Sequence, residues 1–498
     1  MQKETTKKAP RENTPLIAAL KFVPLVVLML LILVAQLDLL LAAPIAVFVA
    51  IAVAMFVNRA DFNSLYHVGL DAAAKIIEVF FISQFAYGVA ECFMATGVGA
   101  AVINLALSAG VTPQTIGPLA LIVTCVVSLA TGTSWGTFAA CAPIFLWMNY
   151  LIGGNLLLVT GACAGGSCFG DNIGMISDTT VLSCGMQDVK IIDRVKHQLV
   201  WSAGVAVITA VVIFVVSLSY PSAQGDIQAA FSAIPEETYE ALAIERPGAL
   251  ALLEQVRNGV AYYMVIPLIL VIGLAFMGVS TLLCLGAGMV SALLLGYVAG
   301  TCTLSSWLND MVFAGFSSSG SWTVVMMMWI SAFGGIMNSM NAFEPVAHLV
   351  VKISKSVQSL MGWCGVLCMV GNAALADEAA EIATFSPMVR KIMEDNIETA
   401  DEESAYKLRL RLATYTDGLG VFSSTLMPWH CYTVYYLAIS AAVFPLHEWK
   451  PMDIIGGNLM GIIAVVSILF LSFTGLDRFL PGFALPGKDK AWLKNSKK

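Results

Sequence analysis

Ionisable side chains inside apolar stretches are the residues of this sequence that could do chemistry. Asp171 and Asp178 lie in the apolar stretch 155–184, and Asp417 lies in the stretch 412–445. A charged residue at the middle of a bilayer costs about 2.5–3.5 kcal/mol on insertion scales. Carboxylates are hard oxygen ligands that suit a small alkali cation, and each can take a proton instead. We predict a Na⁺ site at Asp171 and Asp178 where protons compete; helix capping is the alternative role.

Polar residues near these aspartates could complete a binding site. Asp377 lies in a further apolar stretch, 358–387, next to Glu378 and close to Glu381. His430 could take a proton or touch a substrate, and a histidine satisfied by packing is an equally good interpretation. The other candidate ligands carry hydroxyl or amide groups: Thr133, Ser134, Thr137, Asn172, Ser177, Thr179, Ser423 and Thr425.

Interrupted helices would bring these side chains to the middle of a membrane. The stretch 113–148 is too long for one ordinary crossing and contains the run TGTSWGT at 131–137, a poor helix interior. We therefore predict a re-entrant hairpin, whose tip needs protein or water to satisfy its backbone. The run GGSCFGDNIGMISDTT at 165–180 predicts a broken helix. Half-helix N-termini at such breaks could hold an anionic substrate group.

The composition is that of a membrane protein. Of 498 residues, 58% are hydrophobic and 12% are charged, and the mean hydropathy is +0.82. Since a crossing takes about 20 apolar residues, we predict an all-α polytopic protein with about ten transmembrane helices plus two re-entrant hairpins. The charge forms no basic face for nucleic acid. The eleven cysteines show no CxxC spacing, and no HExxH motif indicates an enzyme.

Two parts of the chain resemble each other. The run DNIGMISDT, which begins at Asp171, recurs as DGLGVFSST from Asp417. At nearly the same spacing, the run ISQF at 82–85 recurs as ISAF at 330–333. Transporters commonly carry such internal repeats, each with a broken helix. A channel would share the carboxylates but needs no paired hairpins. We therefore expect a secondary transporter with two repeats.

Loop charges indicate that the second repeat is inverted. In the first repeat, the linker between the hairpin and the broken helix, 149–154, is uncharged, and the segment that leaves the repeat, its exit, is basic. In the second repeat, the matching linker is basic, and the exit, 446–453, has one lysine. Lys and Arg favour the cytoplasmic side. The basic residues are Lys190, Arg194, Lys196 and His197 at the first exit, and Arg390, Lys391, Lys407, Arg409 and Arg411 in the second linker. Both termini are therefore expected in the cytoplasm and the acidic segment 220–258 outside.

These patterns divide the chain into six parts. The predicted parts are a cytoplasmic tail (1–21), N-terminal scaffold helices (22–72), repeat 1 with a hairpin and a broken helix (73–184), scaffold helices with the external loop (185–321), repeat 2 with a hairpin and a broken helix (322–445), and the last helix with a cytoplasmic tail (446–498).

At the same residues the chain resembles the NhaC-type Na⁺/H⁺ antiporter family, within the superfamily of hairpin-containing, elevator-like ion transporters. The resemblance rests on GTSWGT at 132–137, on FGD at 169–171 with SDTT at 177–180, and on LMPW at 426–429, which is similar to the family's LIPW. Three positions depart from the family pattern: Asn172 replaces a lysine, Met175-Ile176 replaces Pro-Leu, and His430 replaces an asparagine.

The resemblance implies a transport cycle. Na⁺ would exchange for protons by alternating access. Alternatively, the protein would exchange or co-transport organic acids or amino acids, as relatives in the family do. In either case Na⁺ would be the transported or the coupling ion, and no cofactor is expected. It also implies a bacterial inner membrane location and a homodimer. Because the lysine beside Asp171 is replaced, the site's charge differs, and a Na⁺-coupled transporter of an amino acid or small organic acid stays open.

Overall fold

The structure, a computed structural model, is built almost entirely of α-helices. It describes residues 11, 14–35, 37–74, 76–175, 177–223, 227–232, 234, 236–245, 247–277, 279–319, 322–340 and 344–494. Most of the predicted N-terminal tail and the lysines after 494 lie outside these residues.

The described residues of the first part of the chain form ten helices. They are α1 (Pro15–Leu33), α2 (Leu39–Asn58), α3 (Phe62–Ala74), α4 (Ile76–Thr96), α5 (Val98–Ser108), α6 (Ile116–Thr131), α7 (Ser134–Ile152), α8 (Leu156–Ile173), α9 (Asp178–Gln187) and α10 (Ile191–Ser217).

Seven helices follow among the residues that the structure describes, three of them in the segment predicted as an external loop. They are α11 (Ile227–Ser232), α12 (Glu236–Glu245), α13 (Pro247–Asn258), α14 (Ile266–Phe276), α15 (Thr281–Ala299), α16 (Leu304–Ser306) and α17 (Phe313–Ser319). A 3₁₀ turn, Tyr262–Val265, precedes α14, and a π-helical turn, Trp307–Val312, joins α16 to α17.

In the last part, the described residues form nine helices and a short sheet. They are α18 (Trp322–Ser339), α19 (Glu344–Ile353), α20 (Val357–Leu375), α21 (Glu378–Asn396), α22 (Glu402–Ala413), α23 (Gly420–Ser424), α24 (Cys431–Val443), α25 (Pro451–Gly457) and α26 (Leu459–Thr474). The strands β1 (Ile397–Thr399) and β2 (Ala491–Leu493) pair antiparallel. A 3₁₀ turn, Leu476–Phe479, follows α26.

The helices are those of a polytopic membrane protein. Six helices among the described residues are long and apolar enough to cross a membrane, and eight if each of two bent helix pairs is one span. Many large apolar side chains on them are exposed, for example Val207, Leu294 and Val466, as expected of a surface that faces lipid. The predicted all-α polytopic class is confirmed. The number of ten crossings stays a prediction.

Both predicted hairpins are pairs of helices joined by two residues. Gly132 takes the left-handed conformation, φ 65°, and an extended Thr133 follows before α7 begins. Ala376 takes the same conformation, φ 54°, and an extended Asp377 follows before α21 begins. The two tips therefore have the same backbone geometry, although their sequences differ.

The two repeats differ in where their helices break. In the first, α8 ends at Ile173 and α9 begins at Asp178, close to the expected break. In the second, the helix does not break at Asp417, the counterpart of Asp171, since Asp417 lies in a π-helical turn, Thr414–Leu419, that joins α22 to α23. The chain leaves the helix only after Ser424, ahead of Pro428, which cannot donate a backbone hydrogen bond to a continued helix.

Two predicted loop charges are buried inside helices. Arg194 lies in α10 and Arg411 in α22, and the side chains of both are 0% exposed. Arg411 donates to Asp477 at 3.0 Å, and its guanidinium lies 3.8 Å from the ring centre of Phe483. The prediction that these arginines lie in loops is therefore wrong, because each lies in a helix and is held by buried acceptors. Their side of the membrane stays a prediction.

Candidate functional site

Asp171 lies in the last turn of α8 and is buried. Its Oδ2 accepts the backbone N–H of Ser134 at 3.0 Å, the hydroxyl of Ser134, and the hydroxyl of Tyr432 at 3.3 Å. Its Oδ1 lies 3.4 Å from the hydroxyl of Ser177. The N-terminus of α7 also favours negative charge at this place. Asp171 therefore joins the first hairpin tip, the first helix break and α24.

Asp417 forms a buried ion pair with Arg194. Its Oδ2 lies 2.5 Å from Nη2 of Arg194, and both side chains are 0% exposed. The hydroxyls of Thr180 and Ser183 donate to the same oxygen at 3.0 and 3.5 Å. Oδ1 of Asp417 has no hydrogen-bond partner within the described part of the chain. A buried pair of this kind is stable only when such additional hydrogen bonds support it.

Asn172, near the end of α8, lies beside the ion pair between Arg194 and Asp417. Nη1 of Arg194 donates to the carbonyl of Asn172 at 2.7 Å and to the hydroxyl of Thr180 at 2.9 Å. The amide of Gln198 donates to both oxygens of Asn172, and Nδ2 of Asn172 donates to Ser202 at 2.7 Å. Asn172 stands where the family pattern has a lysine, and Arg194 supplies a cation next to it.

The second hairpin tip holds two further carboxylates. Asp377 is half-buried and caps α21, accepting the N–H of Ala380 at 2.8 Å. Glu378 and Glu381 are buried, and none of their four carboxyl oxygens has a hydrogen-bond partner among the described residues. A Cβ added at Gly420 would lie 3.4 Å from Glu378 and 3.8 Å from Glu381. The two carboxyl groups therefore flank the backbone of Gly420.

His430 is a neutral residue that holds Asn372. Its Nδ1 accepts the backbone N–H of Tyr432 at 3.3 Å, so the ring proton lies on Nε2, which donates to Oδ1 of Asn372 at 3.0 Å. Nδ2 of Asn372 donates to the carbonyl of Gly420 at 2.8 Å and to the hydroxyl of Ser423 at 3.1 Å. The arrangement fits the packing interpretation of His430.

The remaining predicted residues fall into separate places. Thr137 donates to the carbonyl of Thr133 at 2.8 Å. Ser177 and Thr179 share a hydrogen bond of 3.0 Å beside Asp171. Thr425 accepts from Asn458 at 2.7 Å, away from the aspartates. Asp178 begins α9, but its side chain lies outside the described structure, and so does the prediction of Na⁺ binding by it.

Sequence reasoning missed Arg194, Thr180, Ser183 and Tyr432. A signal for Arg194 was present, because Arg194, Gln198 and Ser202 follow one another at helical i,i+4 spacing along one face of α10. No group of three or more His, Cys, Asp or Glu side chains in the described ranges has metal-binding geometry. A Na⁺ site here would depend on hydroxyls and backbone oxygens as well as carboxylates.

A model of the Na⁺/H⁺ antiporter family matches residues 10–184 and 166–475. The chain belongs to the Na⁺/H⁺ antiporter family. The resemblance in the three motifs is thereby confirmed, and a multi-pass membrane antiporter of Na⁺ and protons, or a related antiporter, is the class to which the family assigns the chain.

Three relatives within and around this family differ in their named substrates. The arginine/ornithine antiporter ArcD of Halobacterium salinarum is 23% identical over 386 residues, covering 74% of this chain and 73% of the relative. The Na⁺/H⁺ antiporter NhaC of Alkalihalophilus pseudofirmus is 23% identical over 312 residues, covering 59% and 63%. The malate-2H⁺/Na⁺-lactate antiporter of Bacillus subtilis is 37% identical over 100 residues, covering 20% and 21%. The chain therefore spans only about a fifth of this last antiporter.

Proposed function

We propose that the protein is a secondary active Na⁺/H⁺ antiporter of the NhaC type, which works by alternating access in a bacterial cytoplasmic membrane. One observation carries the proposal: the buried carboxyl group of Asp171 lies where a hairpin tip, a helix break and a third helix meet. Such a carboxylate binds Na⁺ or a proton, but not both, so that entry of one ion releases the other.

The proposed cation site uses oxygen atoms around Asp171. The hydroxyl groups of Ser134 and Ser177 already contact the carboxylate and can turn their lone pairs to a cation. Asp178, the residue that begins α9, is proposed as a second carboxylate ligand from its position beside Ser177. In the absence of Na⁺, the hydroxyl and backbone N–H donors hold the carboxyl group in place.

Contacts between the repeats support the proposed inverted arrangement. At the exit of the first repeat, the N–H of Lys190 donates to the hydroxyl of Tyr406 in the second repeat's linker, at 2.9 Å. Near the linker of the first repeat, Trp147 of α7 donates to the carbonyl of Val443, the last residue of α24 before the exit of the second repeat, at 2.8 Å. The exit of each repeat thus lies beside the linker of the other, as expected when one repeat is inverted.

Alternating access would move the hairpins and broken helices as one unit against the other helices. The proposal places the basic linker of repeat 2 in the cytoplasm, and pairing of β1 with β2 puts the C-terminal tail on the same side as that linker. A homodimer, in which the scaffold helices of two copies pack together, completes the proposal.

Na⁺-coupled transport of an amino acid or organic acid is the second candidate. It is favoured by the arginine/ornithine antiporter, which matches 74% of the chain, and by Asn172, which replaces the family's lysine. In that case the substrate's own charge would bind near Asp171.

Purified protein in proteoliposomes with an interior pH dye tests the proposal. External Na⁺, but not K⁺, should make the interior more alkaline in wild type, and Asp171→Asn should abolish the response. Asp395→Asn, an exposed aspartate on α21, is the matched control and should transport as wild type does. Wild-type transport by folded Asp171→Asn would refute the site, and an active preparation that moves no protons would favour the second candidate.

A further inference from the structure

The tips of the two hairpins correspond residue by residue. Each has a left-handed residue, an extended residue and then the first residue of a helix, which is Ser134 in the first tip and Glu378 in the second. Three residues further along, Thr137 corresponds to Glu381. The second repeat therefore carries carboxyl groups at the two places where the first repeat carries hydroxyl groups.

The carboxyl groups replace hydrogen-bond donors at the tip by acceptors. In the first repeat, the hydroxyl and N–H of Ser134 donate to a carboxylate, Asp171. In the second, Glu378 and Glu381 approach Gly420, which lies one turn beyond Asp417, the counterpart of Asp171. Carboxylates cannot donate unless they are protonated. The tip that satisfies an aspartate in the first repeat thus brings two more acids to the aspartate's counterpart in the second.

The two glutamates of this acidic group have no hydrogen-bond partner among the described residues. The hydroxyl of Tyr432 and the thiol of Cys368 lie beside them. Asp417 is a charged neighbour of both glutamates. Its Oδ1 is also buried and without a hydrogen-bond partner among the described residues.

Arg194, the positive charge beside Asp417, already has its own partners. Arg194 pairs with Oδ2 of Asp417 and donates to Asn172 and Thr180. An ionised carboxylate buried without a partner costs many kcal/mol, so such a group takes a proton or a cation instead. The backbone at Gly420 leaves room for an ion, because a methyl group there would meet Glu378 and Glu381 at contact distance.

We propose that Glu378 and Glu381, with Oδ1 of Asp417, form a second ion site around Gly420, which holds protons while the protein is free of Na⁺ and releases them when Na⁺ binds. This inference rests on the proposed Na⁺/H⁺ exchange. It assigns the protons of the cycle mainly to the second hairpin, while Asp171 in the first repeat binds Na⁺. No covalent bond forms or breaks apart from the O–H bonds of the carboxyl groups.

Proton release on addition of Na⁺ tests the assignment directly. Detergent-purified protein in weak buffer with a pH indicator dye receives NaCl, with choline chloride as the salt control. Wild type should release protons, while Glu378→Gln and Glu381→Gln, which mimic the protonated acids, should each release at most half as many. Glu394→Gln on the same helix, at an exposed glutamate, should release as many as wild type.

Vesicle transport separates this inference from the proposed function. In the glutamine variants, exchange of ²²Na⁺ for Na⁺ should persist, while Na⁺-driven alkalinisation should fall at least tenfold. Proton release and alkalinisation like those of wild type in the variants would overturn the second site and leave the antiporter proposal intact. Loss of ²²Na⁺ exchange as well would also overturn it, because the glutamates would then belong to the Na⁺ site itself. Absence of Na⁺-linked proton movement in active wild type would overturn the antiporter proposal.

A further variant tests the site even if the glutamine variants misfold. Gly420→Ala keeps both carboxyl groups but fills the space between them. It should reduce Na⁺-induced proton release while ²²Na⁺ exchange continues, and proton release unchanged by it would count against the site.

Discussion

The ion pair between Arg194 and Asp417 should be one of the strongest interactions that join α10 to the second repeat. Replacing Arg194 by Met leaves Asp417 buried without its charge partner and removes the hydrogen bonds to Asn172 and Thr180. Breaking a buried pair from one side costs about 3–5 kcal/mol. We expect a loss of this size in the free energy of unfolding for Arg194→Met, and a similar loss for Asp417→Asn.

A double-mutant cycle measures the interaction itself. The variant with both substitutions has no buried charge at this place, so its loss should be smaller than the sum of the two single losses by about 2–3 kcal/mol. Unfolding by SDS in mixed micelles, followed by tryptophan fluorescence, provides the four free energies.

The exposed pair between Arg390 and Glu394 is the control. Its side chains are 28% and 51% exposed, so the same cycle should give a coupling of about 0.3–0.5 kcal/mol. A coupling for Arg194 and Asp417 no larger than that of the control pair would refute the reasoning, because a surface-like value would mean that water reaches the pair.

Three further outcomes are expected. Ser134→Ala removes a hydrogen bond to charged Asp171, so the Na⁺ concentration for half-maximal alkalinisation should change about tenfold, while unchanged Na⁺ dependence would argue against a shared site. His430→Gln keeps an N–H donor, and because His430 is neutral the ratio of transport at pH 6 to that at pH 8 should match wild type; a changed ratio would mean that the ring titrates. The hydroxyl and N–H of Ser404 lower the pKa of Asp401. Asp401→Ala should therefore reduce thermal stability at pH 7, and its difference from wild type should vanish as the pH falls through the folded-state pKa of Asp401. A difference that persists at lower pH would contradict the charge dependence of this helix cap.

The sequence by itself determined the class of the protein and part of its site. Hydropathy identified an all-α membrane protein, because the bilayer requires long apolar helices. The glycine and hydroxyl run at 131–137 located the first hairpin tip, and Asp171 stood out because a carboxylate in an apolar stretch is costly. Short motifs sufficed to indicate the family. All of these signals are local in the chain.

Tertiary structure decided which charges meet. Arg194 looked like a loop residue because it follows Lys190 at the edge of an apolar run, yet its partner is Asp417, far away in sequence. Glu378 and Glu381 are a second case, since the second hairpin packs both against Gly420, a residue far along the chain. The second break lies after Ser424 because a π-helical turn carries the helix past Asp417. Hydropathy is a property of each segment, whereas burial and pairing of a charge depend on what other segments bring beside it.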